Sequence, residues 1–64
     1  MTLRDLRKQM NKTVTEVATV LGVTASAVRH YESGIRRISL EQVLILAKLY
    51  DCSAEDIITA QLIV

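Results

Sequence analysis

Gly22 separates two short helical patterns in the stretch VTEVATVLGVTASAVRHYESG, and this constrains the fold more than any other feature. Thr13 lies three residues ahead of Glu16, the hydroxyl–carboxylate spacing of a capping box, so a helix is expected to start there. Val17, Ala18 and Leu21 recur at helical spacing. Gly22 follows where a C′ residue takes up the left-handed backbone that glycine adopts most cheaply. Thr24 can cap a second helix, Val23 and Val28 are spaced as a hydrophobic staple, and Gly34 is placed to end that helix in turn. The expected unit is helix, tight turn, helix.

The flanking sequence supplies further helices. Thr2 and Asp5 form a weaker capping signal, followed by an apolar stripe of Leu3, Leu6 and Met10 on a helix fading near Asn11. Ile35-Arg36-Arg37-Ile38 is too short and too basic for anything but a connector. Ser39 to Gln42 is another capping box, opening a fourth helix through Tyr50 with Leu40, Val43, Leu46, Ala47 and Tyr50 facing inward. Ser53 to Asp56 starts a fifth, with Ile57 and Ile58 as its apolar residues. Ile45 and Leu49 fall off the inward stripe of the fourth helix, and the tail ITAQLIV is unusually apolar. These residues, Leu62 and Ile63 among them, read either as a slightly apolar surface or as a dimer seam.

The chain has 64 residues, half of them hydrophobic, with no Trp, Phe or Pro, and its β-branched residues are not set in alternating runs. An all-α fold of five helices in one domain, residues 1–64, is expected. A lone cysteine, Cys52, excludes an internal disulfide and a zinc site, which points to a reducing cytoplasm. No signal peptide or bilayer-length apolar run is evident. Net charge is only +1, but it is unevenly spread. Through Arg37, seven basic residues stand against three acidic ones, a net +4; beyond it Lys48 faces four acidic residues, a net −3. The basic side lies around the two-helix unit, a distribution suited to nucleic acid. His30 and Cys52 are single and offer no nucleophile–base pair, so an enzyme is not expected.

Leu3-x-x-Leu6-Arg7, Thr13-x-x-Glu16-Val17-Ala18, Leu21-Gly22-Val23-Thr24, Tyr31-Glu32-x-Gly34, Ser39-Leu40 and Leu46-Ala47-Lys48 occur in that order. The series resembles the phage-repressor and Cro-like (XRE-type) helix-turn-helix regulators over roughly residues 3 to 58. A small residue at 18 lets the helices approach, Gly22 makes the turn, and Val28 locks the third helix on the second.

The resemblance implies a bacterial or phage-encoded cytoplasmic DNA-binding regulator, a repressor by expectation, without cofactor, metal or membrane partner. It places the third helix in the major groove, with Ala25, Ser26, Arg29 and His30 as base readers. Arg29 can bond bidentately to guanine and leads in specificity; Ser26 discriminates little, and Ala25 offers a methyl suited to thymine. His30 can donate to a base or phosphate, or be an ordinary solvated residue. Phosphate contacts are expected from the start of the second helix with Thr15, and from Thr24, Arg36 and Arg37. Arg7 and Glu32 match positions that commonly pair across the first and third helices. Two departures stand out. Val14 occupies the position of a frequent phosphate-binding glutamine, and Ile38 that of a usual proline.

Members of this family usually read two half-sites of a two-fold operator as a symmetric dimer, so a homodimer through Ile45, Leu49, Leu62, Ile63 and the rest of tail 59–64 is expected. The alternative from another class is a protein-interaction or antitoxin-like module with weak or no DNA binding. Val14, the small Ala25 and Ser26, and the apolar tail favour it.

Overall fold

A computed structural model describes residues 1–63; Val64, the last residue of the apolar tail, lies outside the described residues. The described residues form five helices and no strand: α1 (Leu3–Gln9), α2 (Val14–Leu21), α3 (Ala25–Ser33), α4 (Leu40–Leu49) and α5 (Ala54–Ile63).

Every helix starts at a hydroxyl residue. In α1, α2 and α4 the Thr2, Thr13 and Ser39 hydroxyls each accept an N–H three residues on, while Asp5, Glu16 and Gln42 reach back to the cap N–H. Ser53 and Asp56 make the same reciprocal pair ahead of α5. Thr24 accepts from Ala27 N–H without a return bond, because residue 27 has no polar side chain.

The helix ends share a second device. At Gly22 (φ +71°) and Gly34 (φ +82°) the chain turns left-handed, and Val23 and Ile35 donate back to the Ala18 and His30 carbonyls. This is the Schellman arrangement. Asn11 (φ +55°) and Asp51 (φ +53°) end α1 and α4 the same way, with Lys12 and Cys52 donating to the Arg7 and Ala47 carbonyls.

These ends set short connections, and the helices close around one core. Leu3 and Leu6 meet Val17 and Ala18 of α2, Ala27, Val28 and Tyr31 of α3, Val43, Leu46 and Tyr50 around α4, and Ile57 and Ala60 of α5. Ile38 of the connector is buried with them, pinned by its N–H donating to Gln61 Oε1 at 2.6 Å. Cys52 is half-buried against this core. Burial of its thiol, then the nearby Asp56 and Asp51 carboxylates, push its pKa up.

Some inward positions differ from those the periodicity predicts. Leu40 is 74% exposed, because it stands one turn ahead of Val43 in the opening turn of α4, where no other element covers it. Met10 is exposed because it is already the C-cap of α1, outside helical geometry. In α5 the core is reached by Ile57 and Ala60, and Ile58 is exposed. Leu49, expected off the inward stripe, is half-buried and packs on the core, and Ile45 is half-buried.

Candidate nucleic-acid interface

α2 and α3 pack against each other across the Gly22 turn. Val17 and Ala18 on one helix and Ala27, Val28 and Tyr31 on the other are buried, which fixes what α3 presents outward. At about 100° per residue, Ala25, Ser26, Arg29 and His30 span ~140° of the α3 surface, opposite the arc of its buried residues. Ser26, Arg29 and His30 are exposed, and Ala25 is half-buried at the helix start. The four side chains therefore form one outward face.

Its electrostatics favour an anion. α3 is the one helix of the five with no acidic residue in its first turn. Its amide dipoles face solvent without a carboxylate beside them. Thr24 sits at that end, exposed, its oxygen accepting from Ala27 and its hydroxyl proton available to donate. Thr15 is exposed in the first turn of α2.

Past Gly34, Arg36 and Arg37 are both exposed. The Arg36 guanidinium lies 5.5 Å from the centroid of the Tyr31 ring, a cation–π contact that restrains it. Tyr31 in turn accepts a bond from Gln42 Nε2 at 3.2 Å. The two arginines line a small groove of about 130 Å³ with Gly34, Gln61 and Leu62. Gln61, which ties this connector to α5, was not singled out by the sequence; its role depends on where the end of α5 packs.

Arg7 stands behind α3. Its Nε and Nη2 donate to the two Glu32 carboxylate oxygens at 2.7 and 3.2 Å, and Nη1 donates to the Lys12 carbonyl at 3.0 Å. Each side chain of the pair keeps 11% of its surface exposed. The bond to Glu32 outweighs burial and raises the Arg7 pKa, so the guanidinium stays charged, and its bonds join α1, α3 and the α1–α2 loop.

A cleft of about 420 Å³ opens where α1, α2 and α3 meet, lined by Arg4, Arg7, Val14, Arg29, Glu32 and Ser33. It brings Arg29, Val14 and Arg4 onto one cleft, although they lie far apart in the sequence. Only the relative placement of α1 and α3 reveals that grouping. The proposed seam residues are not all together on the surface: Leu62 and Ile63 are exposed, whereas Ile45 and Leu49 are half-buried. No described helix is long and apolar enough to cross a membrane.

The model of the helix-turn-helix family matches residues 3–57. The chain is 39% identical over 56 residues to the HTH-type transcriptional regulator AnsR of Bacillus subtilis (strain 168), covering 88% of this chain and 48% of that protein. It is 36% identical over 56 residues to the uncharacterized HTH-type transcriptional regulator YobD of the same organism, covering 88% of this chain and 50% of that protein. The chain thus spans about half the length of these curated relatives. No solved structure matches it.

Proposed function

The chain belongs to the XRE-type helix-turn-helix family of transcriptional regulators, and on that premise we propose that it is a sequence-specific repressor reading the major groove of duplex DNA with α3. The observation that carries this reading is the α3 face itself. Ala25, Ser26, Arg29 and His30 point away from the buried Ala27, Val28 and Tyr31, on a helix whose first turn holds no carboxylate. Arg29 supplies the bidentate donor for guanine, and Ser26 and His30 add less selective bonds. Thr15, Thr24, Arg36 and Arg37 hold the phosphates on either side and set register. Arg7 and Glu32 stay inside the protein and position α3.

Residues 1–64 act as one DNA-binding domain, two copies of which meet through Leu62, Ile63 and the flanks of α4 near Ile45 and Leu49. A two-fold operator with half-sites about one helical turn apart is the matching target. The place of action is the cytoplasm, beside the DNA.

Titration of a labelled duplex at several salt concentrations tests the reading. Affinity is expected to fall steeply as salt rises, because each neutralised phosphate releases counterions. Flat or absent binding overturns it and leaves the interaction-module alternative. Selection from random duplexes then identifies the half-site.

A further inference from the structure

We infer that Arg4 is an additional phosphate-binding residue, seating a DNA backbone phosphate in the cleft where α1, α2 and α3 meet. The inference rests on the DNA-binding reading above. Three guanidiniums, from Arg4, Arg7 and Arg29, line this cleft, with Glu32 as its carboxylate. Glu32 is already engaged through both oxygens by Arg7. Arg4 and Arg29 are exposed, and among the described residues neither has an acidic partner. The cleft therefore carries two uncompensated positive charges on opposing helices, next to the face that α3 turns outward.

Val14 of α2 lines the same cleft. Its side chain is half-buried against the core and has no hydrogen-bonding group, so it cannot hold a phosphate. A guanidinium from α1 on the same cleft supplies what Val14 lacks: a donor fork that matches phosphate oxygens. Arg29 is left to reach the base edge while Arg4 anchors the strand beside it. Because the contact is to the backbone, Arg4 contributes affinity and positioning without sequence preference.

Arg4→Ala, Lys8→Ala and Arg29→Ala are compared with the parent in salt-dependent titrations of a labelled random-sequence duplex and of the selected half-site. Lys8 is an exposed α1 cation outside the cleft and controls for net charge. Arg4→Ala is expected to weaken both duplexes several-fold, to lower the slope of log affinity against log salt by about 0.9, and to leave the selected sequence unchanged. Lys8→Ala keeps the parent slope, and Arg4→Lys, which keeps the charge but not the fork, restores the slope with only part of the affinity. An Arg4→Ala slope equal to that of the parent overturns the inference, as does an equal drop in Lys8→Ala, which would mark a general charge effect. If the parent itself shows no salt-dependent binding, the DNA reading fails first and this inference with it.

Discussion

The Arg7 guanidinium uses three of its nitrogens inside the protein, and this decides how the site responds to mutation at single positions. Replacing Glu32 by Ala leaves a nearly buried cation with only the Lys12 carbonyl as partner. Breaking such a pair from one side costs roughly 3–5 kcal/mol, and the residual exposure here places the expected loss near the lower end. Urea unfolding of Glu32→Ala, Arg7→Met and the double variant measures it. The double variant is expected to recover much of the loss, since it leaves no unpaired charge; a Glu32→Ala midpoint equal to that of the parent refutes the account. Arg29 should behave in the opposite way, because it is exposed and supports nothing. Arg29→Ala is expected to melt as the parent does, to lose about 1–3 kcal/mol of discrimination at one base pair, and to relax specificity there in a selection experiment. The pairing of Arg7 with Glu32 was open to a reading by family resemblance. Arg4 was not: it is a cation on a polar helix face, and only the angle between α1 and α3 puts it opposite Arg29.

Helix boundaries were legible because they are local chemistry. The hydroxyl and its partner three residues on are in the sequence at Thr13, Ser39 and Ser53, and the same spacing puts α1 at Thr2. The glycine turns were legible for the same reason, whereas the left-handed Asn11 and Asp51 gave a weaker signal, since those residue types have many other uses. Inward faces were less so. Periodicity gives an arc, but neighbours decide which edge of the arc is covered, hence exposed Leu40 and half-buried Leu49. Two predictions belong here. A Cβ at residue 22 meets nothing within 4 Å, so Gly22→Ala pays only for the left-handed backbone, about 1–2 kcal/mol, and Gly22→Asn less. Chemical denaturation checks the order, and a loss well beyond that range would mean hidden crowding at the turn. The caps also carry a pH dependence. Bonds from the Thr13 backbone N–H first, then its hydroxyl, hold the Glu16 carboxyl below its ordinary value, and Thr2 does the same for Asp5. A depressed folded pKa stabilises above the unfolded value and is lost as pH falls through the folded one. Thermal melts from neutral pH downward should thus hold until the ordinary carboxylate range and decline below it. Glu16→Gln flattens that acid limb; an unchanged limb means the cap is not the titrating element.

At the scale of the whole molecule, size and charge bear on the proposed pair. The Cα framework measures 24 × 22 × 20 Å, less than the ~34 Å that separates the centres of half-sites one helical turn apart, so one copy reaches one half-site. The net +4 through Arg37 is spread over α1, α2, α3 and the connectors between them and past Gly34, and the net −3 beyond it lies with α4 and α5, so in the proposed pair the basic part of each copy is the part left to DNA. Leu62 lines the connector groove beside Arg36 and Arg37, which places the proposed seam directly next to the proposed phosphate contacts. The choice of variant matters. Leu49 packs on the core, so a charge there would unfold the monomer, whereas Leu62 and Ile63 are 63% and 53% exposed and can be changed without touching it. Leu62→Glu with Ile63→Glu is expected to convert a dimer into a monomer in sedimentation while keeping the helical circular dichroism signal. Ile63→Glu alone, which leaves the groove beside Arg36 and Arg37 unchanged, should lose affinity for a two-half-site operator and bind a single half-site as the parent does. A parent that sediments as a monomer bound and free, or a variant that keeps the parent's two-site affinity, would place the pairing surface elsewhere, and the exposed Leu40 and Leu44 of α4 would be the next positions to charge.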